Sequence, residues 1–155
     1  MSGRRQSCQP RTLLLTTRVI QRMVSNVRFP AISVRQPSAD LIVRGALKRD
    51  LRSRPTRFRG WILVHASQTF SRADRSKTDA GELERGKVLG LVQLEDCVRD
   101  GEGWAYLWKR PRRFRTAIPC RGHYSIPFYL PVSLLRGTPA AKVTPGKLTP
   151  KASKD

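Results

Sequence analysis

The sequence predicts an α+β domain, mainly β: a small, partly closed β-barrel with short helices at its ends and basic tails on either side. Three observations predict it. Five or six short apolar runs read as strands. Few segments carry helical periodicity. The connections between the strands are long enough to wrap a barrel rather than to close simple hairpins.

The elements follow in chain order. Residues 1–28 form a basic N-terminal extension in which Val19, Ile20, Met23, Val24 and Val27 recur at helical spacing with Arg18, Arg22 and Arg28 among the polar positions. A basic, amphipathic, acid-free leader is the composition of a mitochondrial transit peptide, and also of a disordered phosphate-binding arm. A start at Met23 is a third reading. The domain proper is expected over residues 29–135. Ala31–Arg35 alternates as a strand. Pro37, followed by Ala39, Leu41 and Ile42 and then Gly45, predicts a short helix with a glycine stop. Lys48–Arg59 is too charged for a core and in part extends along the sheet. Trp61–Ala66 predicts a buried strand, and Ser71–Glu84 a surface helix or loop. Lys87–Val98 is a strand whose Gly90 predicts a bulge or a close backbone approach. Asp100–Gly103 is a turn, Trp104–Trp108 a strand, Lys109–Arg115 a basic loop around Pro111, and Cys120–Leu130 the last strand. Residues 136–155, poor in large apolar side chains, are expected to form a disordered basic tail.

The 155 residues carry a formal charge of +20. Residues 1–30 hold six Arg and no acid, residues 31–135 hold 20 Lys or Arg against 10 acids, and the last twenty hold five against one. The acids therefore sit where a folded domain is expected. Charge of this size speaks about partners rather than fold. Nucleic acid is the usual partner, because each neutralised phosphate releases counterions; an anionic membrane surface is the alternative, and an arginine-rich base composition the bland one. Three cysteines, Cys8, Cys97 and Cys120, have no CxxC spacing, which argues against a disulfide framework or a structural zinc site. They point to a reducing compartment, the cytoplasm, or the mitochondrion if residues 1–28 act as a transit peptide. No apolar run reaches the length of a membrane span.

Two basic clusters carry the chemistry. Arg44, Lys48, Arg49, Arg52, Arg54, Arg57 and Arg59 put seven cations into 16 residues. Such a row repels itself without an anionic partner, and Arg52 and Arg54 share one face of an extended chain. Lys109, Arg110, Arg112 and Arg113 lie among Trp104, Tyr106, Trp108 and Phe114, the mixture that stacks bases and holds a phosphate backbone. Alternation gives Trp104, Tyr106 and Trp108 one face, so most of them are expected to be core. His65 within an apolar strand reads as a satisfied core group, and His123 as exposed. Neither has further ligands at a metal-binding spacing, so no metal and no cofactor is expected. Asp50, flanked by Lys48, Arg49 and Arg52, reads as ion-paired. No nucleophile has a legible base, and no constellation establishes an enzyme.

Taken in order, Ser33-x-Arg35-Gln36-Pro37, Thr56-x-x-Arg59-Gly60, His65-Ala66-Ser67, the Gly90–Cys97 run and Pro119-x-x-Gly122 resemble an ASCH domain (activating signal cointegrator homology) over roughly residues 30–130. The resemblance implies a PUA-like β-barrel with a cleft beside it, lined by a G-x-K-x-x-E-x-R motif. Here that motif reads Gly45-Ala46-Leu47-Lys48-Arg49-Asp50-Leu51-Arg52, with Asp50 for Glu and Leu47 for Lys. Small ASCH proteins include amidohydrolases acting on N4-acetylcytidine through the motif Lys, and others similar to ribonucleases. Leu47 cannot do that work, which leaves Lys48 and Asp50 as the catalytic candidates of an enzymatic reading. The leading expectation is binding of RNA or a modified nucleobase. Arg35, Gln36, Arg52, Arg54, Arg57, Arg59, Lys109, Arg110, Arg112 and Arg113 would contact nucleic acid, and Ser33, Pro37, Asp50, His65 and Ser67 would form the pocket. A third expectation is an interaction module whose basic tails dock an acidic partner or ribosomal RNA.

Overall fold

A computed structural model describes residues 27–69 and 83–150. The expected leader up to residue 26, the Ser71–Glu84 segment except its last two residues, and the last five residues lie outside them. Seven strands form one mixed sheet: β1 (Arg28–Val34), β2 (Arg49–Arg52), β3 (Phe58–Ala66), β4 (Lys87–Asp100), β5 (Gly103–Pro119), β6 (Phe128–Pro131) and β7 (Lys147–Leu148). The order is β2-β5-β4-β3-β1-β6, with β7 pairing β3. β1 and β3 are parallel, Ser33 lying opposite His65, and the other pairs are antiparallel. The fold is thus α+β and mainly β, but the sheet stays open. Its edges, β2 and β6, have four residues each and do not meet. Short edge strands also offer little unpaired backbone to other chains.

The single α-helix among the described residues, α1 (Ser38–Arg44), fills the link from β1 to β2. Its C-cap Gly45 adopts φ 80° and its N–H returns to the Ile42 carbonyl, while Ala46 N–H reaches Leu41, a left-handed close that favours glycine. At the other end the Gln36 side-chain oxygen accepts the Asp40 N–H at 3.0 Å, satisfying one of the donors that a helix start leaves open. Ala39, Ile42 and Val43 lay the helix on Ile32, Val34, Ile62, Val64 and Val92. Two 3-10 helices, Val132–Leu135 and Pro139–Lys142, bring Leu135 and Ala140 to the opposite face, against Phe29, Ala31, Leu63, Val88 and Leu91. The second half of β3 is therefore buried on both faces, which is why Trp61–Val64 is continuously apolar instead of alternating.

Three segments differ from the sequence reading. Lys109–Arg115 is not a loop but the middle of β5. The ladder slips there, Leu91 facing Arg112 and Gln93 facing Lys109, so Arg110 and Pro111 form a bulge, with Arg110 at φ 49°. The bulge excuses Pro111 from donating to the ladder. Cys120–Leu130 is irregular up to Pro127, and only Phe128 onward forms a strand. Residues 136–150, expected to be disordered, belong to the domain. Gly146 N–H donates to the Trp61 carbonyl at 2.9 Å, Thr149 N–H to that of Arg57 at 2.8 Å, and Leu148 pairs with Phe58. Backbone bonding orders a segment whose side chains could not. The Gly90 expectation holds: a Cβ there would lie 2.5 Å from the Arg112 carbonyl oxygen, and the β4–β5 register shifts beside it. No helix among the described residues is long and apolar enough to cross a membrane.

Candidate nucleic-acid interface

The end of β1, the start of α1, β2 and the turn that follows it enclose a polar cleft of about 510 Å³, lined by Ser33, Arg35, Ser38, Asp50, Arg52, Arg54 and Ile126 among others. Pairing with β5 aims it. Asp50 lies opposite Tyr106 and Arg52 opposite Trp104, so the two-residue period turns Asp50 and Arg52 to one side of the edge strand and Arg49 and Leu51 to the other.

Arg52 is the fixed centre of the cleft. Its Nε donates to Asp50 Oδ2 at 2.8 Å, its Nη1 lies 3.5 Å from the Ser33 carbonyl oxygen, and its guanidinium sits 5.3 Å above the Tyr106 ring centre. The pair is largely withdrawn from water, Arg52 being 17% and Asp50 13% exposed. Tyr106 is fully buried, and its hydroxyl donates to the Arg54 carbonyl at 2.9 Å. Burial pushes that phenol up to about 12, with the nearby Arg52 cation acting against the rise, so it stays a donor across the physiological range. One buried ring thus carries both the Arg52 side chain and the Arg54 backbone. The guanidiniums of Arg35 and Arg54 are exposed and have no ion-pair or hydrogen-bond partner among the described residues. Three guanidiniums against one carboxylate make the cleft cationic, and spare N–H donors of Arg52 remain for an anion or a base edge.

Behind the cleft wall, His65 Nε2 lies 3.0 Å from the Cys120 carbonyl oxygen and Nδ1 lies 3.1 Å from Ser33 Oγ. The carbonyl can only accept, so Nε2 carries the proton and the Ser33 hydroxyl donates to Nδ1. Burial holds the imidazole below its ordinary pKa, the Cys120 bond offsetting only part of the drop. Hydroxyl, imidazole and orienting acceptor in a row have the outline of an activated nucleophile. Gly122 crowds the pair: a Cβ there would fall 2.6 Å from Nδ1 and 2.7 Å from Ser33 Oγ, so its backbone packs closely over the Ser33–His65 bond. The chain of bonds pins the 120–122 loop to β1 and β3.

The expected site residues divide accordingly. Ser33, Arg35, Asp50, Arg52 and Arg54 meet in one cleft. His65 supports its wall from behind. Pro37 and Ser67 do not line it; Ser67 bonds Thr69, and its N–H ends on the Val34 carbonyl. Gln36 is not an interface residue: it is 1% exposed and spent on the helix start and on the Glu84 carbonyl. Arg57 donates to the Thr149 carbonyl and so fastens the C-terminal segment, while Arg59 donates to the Thr56 and Phe58 carbonyls and to Asp96 and so ties β3 to β4. Lys48 and Asp50, the two catalytic candidates, line different cavities. Lys48 faces one of about 440 Å³ with Leu47, Trp108, Lys109 and Arg110. Lys109 pairs with Glu95, Arg112 lies over Trp61, and Arg113 pairs with the buried Asp40. Tyr106 and Trp108 are core residues, as alternation implied. Among the described residues no cluster of three or more His, Cys, Asp or Glu is placed to hold a metal ion.

Sequence reasoning missed Tyr124, which is 92% exposed on the loop between β5 and β6. Loops have no periodicity to betray an outward ring, and the only signal available was an aromatic next to His123 beside Arg121. Comparison of the chain with protein-family models finds no match, and neither does comparison with curated proteins.

Proposed function

We propose that this chain binds RNA, or a modified nucleobase within it, through the cleft centred on Arg52, as an ASCH-type, PUA-like module. One observation carries the reading: a single cleft joins a guanidinium fixed by Asp50, the Ser33 carbonyl and the Tyr106 ring to two guanidiniums, Arg35 and Arg54, that have no partner among the described residues. Preorganised and free cations together suit an anionic polymer, the fixed one setting orientation and the free ones gripping phosphates. The resemblance of the Ser33–Ser67 stretch to ASCH domains supports the same class of ligand. An amidohydrolase or nuclease built on Lys48 and Asp50 is disfavoured, since the two line separate cavities. Docking by tails alone is disfavoured on the C-terminal side, where residues 136–150 are engaged with β3. Half-buried free thiols at Cys97 and Cys120 fit a reducing compartment, which this reading takes to be the cytoplasm.

The test is a titration of the full chain with a short RNA at several salt concentrations, with the RNA recovered and sized on a gel. Affinity should fall steeply with salt, and the RNA should return intact. Arg52→Ala should weaken binding and lower the salt slope by about one phosphate's worth. An unchanged affinity and slope would remove Arg52 from the site, and shortened RNA that Asp50→Ala leaves whole would restore the nuclease.

A further inference from the structure

We propose that Tyr124 is a stacking platform for an unpaired nucleobase, which makes the cleft selective for single-stranded over duplex RNA. The inference rests on the RNA-binding reading and names its substrate class.

Both ends of the loop that carries Tyr124 belong to the cleft. Gly122 packs on Ser33, a cleft wall residue, and Ile126 lines the cleft itself. Tyr124 does not itself line the cleft, but it lies two residues from each, on the loop that borders it. Tyr124 is 92% exposed, although Ile126 and Cys120 on the same loop pack against the two apolar clusters. The ring has one ring neighbour. His123 lies against it, ring centres 5.0 Å apart and planes 40° from each other, and His123 Nδ1 is held by the Ser125 N–H at 3.0 Å. A ring that meets one tilted neighbour and is otherwise open to solvent has a face free to accept a base. The charges agree. Arg121 on the same loop is exposed and without a partner among the described residues, as are Arg35 and Arg54 in the cleft. A base laid on Tyr124 would bring its flanking phosphates into a cationic field. Bases inside a duplex have both faces covered by neighbours, so only an unpaired base can use the platform.

The experiment compares the full chain with Tyr124→Ala and Tyr124→Phe, titrated with a fluorescent single-stranded RNA, a duplex of the same length, and inorganic polyphosphate as a polyanion without rings. Tyr124 covers no core residue, so its replacement leaves the fold intact, which a melting curve verifies. The expected result is about tenfold weaker single-strand binding by Tyr124→Ala, with an unchanged salt slope because no cation is lost. Tyr124→Phe should keep the affinity, and duplex and polyphosphate should bind the three proteins alike. Equal single-strand binding by wild type and Tyr124→Ala overturns the stacking role while leaving the RNA-binding reading in place. Equal loss for duplex and polyphosphate overturns it too, by showing a general effect. Absence of salt-sensitive binding to any RNA by the wild type overturns both.

Discussion

The Ser33 hydroxyl hydrogen-bonds His65 at 3.1 Å, and the backbone of Gly122 closes over that bond so tightly that no side chain fits at position 122. Ser33 and His65 stand opposite one another in the parallel β1–β3 register, so the pair ties neighbouring strands and recruits the loop after β5 to both. Because the same loop carries Tyr124 and Ile126, the core bond fixes where the cleft rim lies.

Gly122→Ala therefore has a definite cost. Its Cβ would lie 2.4 Å from the nearest His65 ring carbon, and the ring is held at both nitrogens and cannot swing away. Overpacking of a filled site costs about 1–3 kcal/mol. Urea denaturation should show a lower midpoint at an unchanged slope. A midpoint equal to that of the wild type would mean that the loop is not seated on His65.

His65 also makes stability depend on pH in a stated window. Its folded pKa is below the ordinary 6.5 because burial disfavours the imidazolium. Above pH 6.5 the ring is neutral in both states and contributes no slope. As pH falls below 6.5 the unfolded chain takes up a proton that the folded one refuses, and stability drops until the folded pKa is reached. For one proton the slope cannot exceed about 1.4 kcal/mol per pH unit. Melting temperature should thus fall between pH 7 and pH 5.5 by more in the wild type than in His65→Gln, carboxylate contributions being common to both. Parallel curves would show that the imidazole titrates normally.

Much of the fold was legible where side-chain pattern determines it. The apolar runs of β3 and β4, the Gly45 stop and the extended course of part of the Lys48–Arg59 segment all follow from the sequence pattern. The cleft was legible only in part: Ser33, Arg35, Asp50, Arg52 and Arg54 lie within 22 residues of one another along the chain, but Pro37, His65 and Ser67, also expected in the pocket, do not line it. What failed to show depends on backbone groups. Gln36 looks like a polar contact residue, and its burial follows only from where the α1 N-terminus and the Glu84 carbonyl end up. Arg57 and Arg59 belong to the same basic run as Arg54, yet their partners come from positions 96 and 149. The order of residues 136–150 likewise comes from main-chain bonds, to which composition is blind.

Ending the chain at Arg136 should consequently destabilise the domain rather than trim it. Phe58 is fully buried, with Leu148 beside it in the ladder and Gly146 against its ring. Uncovering a buried Phe forfeits about 1.5–3 kcal/mol, and Ala140 leaves the apolar cluster around Phe29 and Leu63 as well. Denaturant titration of the shortened chain should show a loss of at least about 2 kcal/mol on the same scale. A shortened chain as stable as the full one would make the β7 segment a passive covering.

Arg52→Lys separates charge from geometry in the cleft. An ammonium keeps the positive charge but has no planar fork, so it cannot hold Asp50 Oδ2 and the Ser33 carbonyl oxygen while lying flat on Tyr106. If Arg52 acts only as one more cation, RNA affinity and salt slope will both survive the change. If its fixed orientation matters, the salt slope will stay, since the number of cations has not changed, while affinity falls about threefold to tenfold, the worth of one or two charge-assisted hydrogen bonds partly replaced by water. The expected result is the second. Full retention of affinity in Arg52→Lys would reduce the Asp50–Arg52–Tyr106 assembly to a structural element of the sheet edge and leave Arg35 and Arg54 to do the binding.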